Sequence, residues 1–150
     1  NVFDIPLLAR RLMDAVQWAR HDRNLQSLPI GLFGASTGAG AALVAAAELG
    51  DEISSVVSRG GRPDLAGDAL GKVRAPTLLI VGGADHEVID LNRQALIRIK
   101  SAKALEIIPG ATHLFSEPGA LEAVTDCAAD WFVRTLRPKN RWDTGPHTQH

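Results

Sequence analysis

The chain has 150 residues, of which 45% are hydrophobic and 22% are charged, and its formal net charge is −1. This length fits one domain, and the composition is that of a globular protein and excludes a disordered one. Sixteen basic residues against seventeen acidic ones create no field that would attract nucleic acid or a membrane surface, so we expect a small-molecule ligand.

The first half of the chain predicts, in order, a helix, a strand, a helix and a strand. The first helix has apolar residues at helical spacing, with Asp4 suited to the N-cap position and Pro6 to the first turn. The second helix is rich in alanine and is closed by Gly50. The two strands are short apolar or β-branched runs. The predicted bounds are 4–21 and 37–49 for the helices and 28–33 and 53–58 for the strands.

The second half continues this alternation after a loop punctuated by Gly and Pro, which allows at most one short helix around residues 64–70. A continuous apolar run after Pro76 is typical of a strand that is covered on both faces. The predicted bounds are 77–81 and 105–108 for the strands, 88–100 for the third helix, and 118 or 119 to 136 for the last. The polar residues 138–150 predict an unstructured tail.

Four strands separated by helices predict an α/β domain over residues 1–137. Its core is a mainly parallel four-stranded sheet in sequential order, flanked by helices and joined by right-handed crossovers. In such a sheet the ligand crevice lies beyond the carboxyl ends of the strands.

The segment Gly34-Ala35-Ser36-Thr37-Gly38 lies between the first predicted strand and the following helix. A Gly-x-Ser-x-Gly pattern in this setting is typical of a nucleophile elbow, where strained backbone exposes the serine hydroxyl. Both glycines are expected to be required, because strand and helix nearly touch there and leave no room for side chains. The alternative is a glycine-rich turn that only lets the helix pack closely. Phosphate-binding loops are excluded because no lysine precedes Gly71 and because Leu43 occupies a position that a dinucleotide fingerprint reserves for Gly or Ala.

Three chemically complementary residues follow predicted strands. Ser36 follows the first strand, Asp85 the third and His113 the fourth. A serine hydroxyl becomes a nucleophile when a neutral imidazole takes its proton, and the imidazole needs a carboxylate to fix its tautomer. The chain order Ser, Asp, His is also that of α/β-hydrolases. We therefore predict Ser36 as nucleophile, His113 as general base and Asp85 as the orienting acid.

Two of these assignments have structural alternatives. Asp85 could be a turn residue that bonds its own backbone, which would leave Glu87 or Asp90 as the acid. His113 could be an ordinary loop histidine. The other histidines are less well placed, because His86 adjoins the proposed acid and the rest lie at the first helix or in the tail.

Three segments resemble the nucleophile, acid and base segments of the α/β-hydrolase superfamily: residues 34–38, Val81-Gly82-Gly83-Ala84-Asp85 and Pro109-Gly110-Ala111-Thr112-His113-Leu114-Phe115. Most of the chain up to residue 136 is similar to the dienelactone-hydrolase-like branch, and the loop 58–64 resembles members joined to a phosphoribosyltransferase. The resemblance implies a partial α/β-hydrolase fold and hydrolysis of an ester or lactone through an acyl-enzyme. Dienelactone hydrolase proper uses a cysteine nucleophile, whereas this chain has Ser36, so the substrate of that enzyme is not carried over.

The resemblance also implies an oxyanion hole, of which this sequence supplies one donor. The N–H of Thr37 would be that donor, whereas the superfamily takes the second from a loop among strands that precede the first helix found here. Loss of one donor typically lowers turnover about a hundred- to a thousandfold. Without those strands the strand at 28–33 would form a sheet edge, so we expect a homo-oligomer through this exposed edge or an upstream segment that has been cut away.

Two arginines, Arg59 and Arg62, follow the second predicted strand. They lie where a substrate carboxylate or phosphate could be bound bidentately. The alternative is a pair of solvated loop arginines.

These observations predict a serine hydrolase that cleaves a small carboxylic ester, thioester or lactone. The alternative is a catalytically weak interaction or regulatory module that keeps the fold. We expect no cofactor and no metal, because the five histidines and one cysteine show no ligand spacing. The lone Cys127, the absence of a secretory segment and an apolar run too short to span a bilayer favour a cytoplasmic location.

Overall fold

The computed structural model describes residues 4–136, so the predicted tail at 138–150 lies outside the described residues. Four strands form one parallel sheet in the order β1-β2-β3-β4, which confirms the predicted α/β fold and its sequential strand order. The strands are β1 (Gly31–Ala35), β2 (Ser55–Arg59), β3 (Thr77–Gly82) and β4 (Lys103–Ile108). The α-helices are α1 (Ile5–His21), α2 (Thr37–Leu49), α3 (His86–Arg98) and α4 (Ala120–Thr135), and two 3-10 segments lie at Gly50–Glu52 and Pro63–Lys72.

Helices cover both faces of the sheet. The helices α1, α2 and α3 pack on one face, where Leu43, Val56 and Leu79 are among the buried side chains. The other face is covered by α4, and its core includes Val57 and Ile80. Successive residues of a strand therefore point into two different cores, which is why β3 is buried along its whole length and is almost entirely apolar.

The helix ends that the capping residues predict are confirmed. The side chain of Asp4 accepts a hydrogen bond from the N–H of Leu7 at 3.0 Å and caps α1. Helix α2 ends at Gly50, whose φ of +56° would strain any residue that carries a Cβ atom. None of the helices within residues 4–136 is both long and apolar enough to cross a bilayer.

The first two strands are displaced toward the C-terminus relative to the prediction. Leu28 belongs to a turn, in which its N–H donates to a carbonyl three residues earlier at 3.0 Å. β1 continues to Ala35 because this residue pairs in register with Arg59 of β2. Strand ends are thus set by pairing with the neighbouring strand, which an apolar run does not reveal. The loop after β2 also contains more helix than predicted, because 3-10 turns run through Pro63–Lys72.

β1 lies at an edge of the sheet, as predicted for the strand before Ser36. Within residues 4–136 no strand pairs with its free side, and the strand itself contains no charged residue or proline. On the face that α4 covers, Phe33 is 48% exposed. It lines a cavity of about 480 Å³ together with Arg59 and mainly apolar side chains of α4.

Candidate active site

The chain turns sharply at Ser36, between β1 and α2. Ser36 has φ +50° and ψ −126°, and a residue with a side chain is held in so sparsely populated a region at a cost of about 1–3 kcal/mol. Its N–H donates to the carbonyl of Arg59 at 3.4 Å, and its carbonyl accepts from the N–H of Arg62 at 3.0 Å. These bonds from the neighbouring strand and loop hold the strained residue in place.

The two glycines that flank this turn differ in their surroundings. A Cβ atom on Gly34 would lie 2.5 Å from the carbonyl oxygen of Gly38 and 2.7 Å from Cα of Ala39. The strand and the helix therefore approach too closely for any other residue at Gly34. Apart from its chain neighbours and the backbone of its own helix, a Cβ atom on Gly38 would meet no described atom within 4 Å. The prediction that both positions lack room is thus correct for Gly34 and wrong for Gly38.

The side chains of Ser36, His113 and Asp85 form a hydrogen-bonded chain at the carboxyl edge of the sheet. Ser36 Oγ lies 2.9 Å from His113 Nε2, and His113 Nδ1 lies 3.1 Å from Asp85 Oδ2. The side chain of His113 is 42% exposed and that of Asp85 is 17% exposed, so the imidazole is open to solvent and the carboxylate is more enclosed. When Nδ1 donates its proton to the carboxylate, Nε2 is free to accept from the serine hydroxyl, as a general base must.

Asp85, and neither Glu87 nor Asp90, contacts the imidazole. Asp85 stands at the N-cap position of α3, but its side chain makes no capping hydrogen bond, and the carboxylate instead accepts from His113. Glu87 and Asp90 are exposed residues of α3. Within the part of the chain that the structure describes, neither bonds to His113.

Close backbone contact joins the turn after β3 to the loop after β4. The N–H of Ala84 donates to the carbonyl of Ala111 at 2.9 Å. A Cβ atom on Gly82 would collide with that same carbonyl oxygen. The lack of a side chain at Gly82 therefore lets the two segments meet, and this brings Asp85 to His113.

Thr37 follows Ser36 and is the first residue of α2. The first N–H groups of a helix have no partner within the helix, and the aligned peptide dipoles place about half a positive charge at this end. The N–H of Thr37 is therefore suited to receive negative charge that develops beside Ser36.

The two arginines after β2 have different surroundings. Arg62 makes two hydrogen bonds to the carboxylate of Asp64, at 3.0 and 2.9 Å, and this contact raises the pKa of Arg62. Arg59 places its guanidinium over the ring of Phe115, 5.7 Å from the centroid. Its Nε atom is buried and has no hydrogen-bond partner among residues 4–136. Arg59 therefore has a buried donor without a partner in the described structure, whereas Arg62 is paired with Asp64.

Other reactive groups do not form a second centre in the described structure. Among residues 4–136 there is no group of three or more His, Cys, Asp and Glu side chains that could hold a metal ion. Cys127 lies on α4, and burial raises the pKa of its thiol. A raised pKa lowers the thiolate fraction, so Cys127 is a poor nucleophile.

Glu117 is a residue of this site that sequence motifs did not predict. Its carboxylate accepts hydrogen bonds from the N–H and the hydroxyl of Thr112, the residue before His113. An acidic residue four positions after a predicted base was visible in the sequence. Its contact with Thr112 depends on the path of the loop, which neither periodicity nor motif spacing reports.

A parallel sheet covered by helices on both faces, with a serine, a histidine and an aspartate joined at its carboxyl edge, is the architecture of the α/β-hydrolase superfamily. The chain belongs to the dienelactone hydrolase family, because the model of the family described as "Dienelactone hydrolase family" matches residues 6–137. The resemblance stated from the three segments is thereby confirmed.

Proteins similar to this chain include a dienelactone hydrolase of known structure. The chain is 58% identical in sequence to dienelactone hydrolase from Anabaena variabilis, whose crystal structure is known. The two structures align with a TM-score of 0.89 over 90% of this chain and 62% of that one. This chain is 60% identical over 136 residues to two proteins, each from a different Mycobacterium tuberculosis strain and each provisionally named phosphoribosyl transferase. The alignment covers 91% of this chain and 31% of each of those proteins. The esterase domain of a Rhodothermus marinus protein shares the fold, with a TM-score of 0.73 at 21% identity over 86% of this chain and 69% of that one. The chain thus spans about a third of the length of its curated relatives.

Proposed function

We propose that this chain is a serine hydrolase that cleaves a small carboxylic ester, thioester or lactone through an acyl-enzyme. The observation that carries the proposal is the hydrogen-bonded chain from Ser36 through His113 to Asp85, with distances of 2.9 and 3.1 Å. Membership of the dienelactone hydrolase family supports a hydrolase. The strained turn that presents Ser36 supports its role as a nucleophile on an elbow.

The proposed reaction has two halves that use the same groups. Ser36 Oγ attacks the substrate carbonyl carbon while His113 Nε2 takes the hydroxyl proton, and the N–H of Thr37 donates to the oxyanion that forms. The intermediate collapses, the bond to the leaving group breaks, and His113 returns the proton to the departing oxygen or sulfur. Water then attacks the acyl-serine with the same base, which releases the acid and restores the hydroxyl. Asp85 stabilises the imidazolium in both halves and stays ionised.

The proposal is tested by turnover of three substrates of different chemistry: a short-chain p-nitrophenyl ester, a short acyl thioester and an aromatic lactone. Hydrolysis of at least one above the uncatalysed rate is expected, with Michaelis-Menten saturation. No turnover of any of them by a chain that unfolds cooperatively would overturn the proposal and favour the interaction or regulatory module.

The name of the Mycobacterium tuberculosis relatives does not extend to this chain as an activity. The match covers 31% of those proteins, and the dienelactone hydrolase family model covers residues 6–137 of this chain. Phosphoribosyl transfer is therefore not part of the proposed function.

The proposed substrate-binding role rests on Arg59 more than on Arg62. The guanidinium of Arg62 is occupied by Asp64, whereas Arg59 has a buried donor without a partner and borders a mainly apolar cavity. An Arg59→Ala variant is therefore expected to lose about tenfold in kcat/KM for an ester that carries a second, anionic carboxylate, and to keep its activity on the neutral ester of the same length. Unchanged selectivity between the two esters would end this role.

The proposal extends to a homo-oligomer formed through the free edge of β1. The edge carries no charge or proline to block pairing, and Phe33 is a half-exposed aromatic side chain beside it. Two copies related by a twofold axis would pair their β1 strands antiparallel and bring their Phe33 side chains together.

A Phe33→Lys variant is expected to dissociate this assembly, because each interface would gain two like charges. Sedimentation equilibrium should show the unmodified chain self-associating at micromolar concentration and the variant at least about tenfold more weakly. Ile97→Lys is the matched control, since Ile97 is 79% exposed on α3 and lies away from the edge. A monomeric unmodified chain, or equal weakening by both variants, would contradict assembly through this edge.

A further inference from the structure

The loop that carries His113 is held by packing on either side of the histidine but not at it. Ala111 is fully buried, and Phe115 is 1% exposed. Between them Thr112 is exposed, Leu114 is 73% exposed and the His113 side chain is 42% exposed. Burial therefore holds Ala111 and Phe115 in place, whereas the position of His113 between them depends on other interactions.

The backbone of this loop includes a residue in an energetically unfavourable conformation. Phe115 has φ +55°, a left-handed conformation that is costly for a side chain of its size. Gly60, with φ +52°, lies directly beneath the loop, and a Cβ atom there would lie 3.1 Å from Phe115 Cε2 and 3.4 Å from His113 Nδ1. The loop thus packs closely on the residue that follows β2 and contains one strained residue, Phe115.

Glu117 supplies a restraint at the residue before the histidine. Its Oε1 accepts from the backbone N–H of Thr112 at 3.1 Å, and its Oε2 accepts from the hydroxyl of Thr112 at 2.6 Å. The backbone carbonyl of Glu117 also accepts from the N–H of Ala120 at 3.0 Å, where α4 begins. One residue therefore ties the centre of the loop to the start of a packed helix.

We infer that Glu117 is a positioning residue, which holds the Thr112 peptide so that the His113 imidazole reaches both Ser36 and Asp85. The kinetic test of this inference rests on the proposed hydrolase function. Its second test, the tautomer of His113, rests on the loop geometry alone. The Thr112 hydroxyl and N–H favour the charged form of the carboxyl and lower the pKa of Glu117, so at neutral pH it accepts both bonds as a carboxylate.

A Glu117→Ala variant is expected to lower kcat about ten- to a hundredfold with KM unchanged. The reason is that a small displacement of the His113 imidazole weakens its hydrogen bonds with both Ser36 and Asp85. Glu117→Gln should restore kcat, since its amide oxygen can accept from the Thr112 N–H while its NH₂ group donates to the threonine oxygen. Thr112→Val, which removes only the hydroxyl bond, should fall between the two. Asp68→Ala is the matched control, because it removes an exposed carboxylate bonded to Arg98 at 3.0 Å, far from this loop in sequence.

A second readout separates this inference from the hydrolase proposal. In protein labelled with ¹⁵N-histidine, the signal of His113 is identified by its loss in His113→Gln. The unmodified chain should show the tautomer with a proton on Nδ1, and Glu117→Ala should show a mixture that Glu117→Gln reverses. A chain without measurable turnover would end the hydrolase proposal and still give this result.

Two results would overturn the inference. One is an unchanged kcat together with an unchanged His113 tautomer in Glu117→Ala. The other is a loss of activity that matches only the loss of folded protein and that Glu117→Gln does not restore.

Discussion

Replacement of Ser36 by alanine is expected to lower kcat for ester hydrolysis about 10⁴-fold or more. The substitution removes the oxygen that forms the acyl-enzyme, and the remaining groups can only stabilise attack by water. Within residues 4–136 the hydroxyl that is lost makes one side-chain hydrogen bond, the one to His113, so the fold should persist. Alanine keeps a Cβ atom at the strained turn, and this leaves the backbone conformation unchanged.

Steady-state kinetics of purified Ser36→Ala test this expectation on whichever substrate the unmodified chain turns over fastest. Ser27→Ala is the matched control, because Ser27 is an exposed serine in the loop before β1. Retention of more than about a hundredth of the activity by Ser36→Ala would show that another group performs the attack.

Replacement of Asp85 by asparagine is expected to lower kcat about 10⁴-fold while KM stays close to that of the unmodified chain. Asparagine has nearly the shape of aspartate but offers no charge for the imidazolium, and its amide can stabilise the wrong tautomer of His113. The 3.1 Å contact between Asp85 Oδ2 and His113 Nδ1 is the geometric basis of this expectation.

Two neighbouring acids provide the controls for this variant. Glu87→Gln and Asp90→Asn remove carboxylates from the same stretch of chain, but both are exposed and neither contacts the imidazole among residues 4–136. Both variants should retain nearly full activity. If either loses as much activity as Asp85→Asn, the orienting acid has been misassigned.

The sequence predicted those parts of the fold that depend on residues close together in the chain. The bounds of α2 could be read from the alanine-rich run and from Gly50, because a left-handed residue at the end of a helix is a local requirement. The end of β1 could not, since Ala35 belongs to the strand only through its pairing with Arg59. That pairing joins residues far apart in the chain, and an apolar run does not encode its register.

The candidate site was predictable to a similar degree. Functional residues follow the carboxyl ends of parallel strands, and this rule predicted that Ser36, Asp85 and His113 lie close together. It predicted none of the distances between them. The contacts that support them were not predictable in this way. Gly82 is needed because a carbonyl of another loop passes where its side chain would be, and Glu117 contacts Thr112 because the loop after β4 folds back on itself.

The central claim is that the hydroxyl of Ser36 is activated by His113, and a fluorophosphonate probe tests it most directly. Incubation of the unmodified chain with the probe, followed by proteolysis and mass spectrometry, should give a single phosphonate adduct on the peptide that contains Ser36. The adduct should be absent from Ser36→Ala and should form far more slowly in His113→Gln. A folded chain that acquires no adduct, or that is labelled at Ser36 equally fast without the imidazole, would contradict the account.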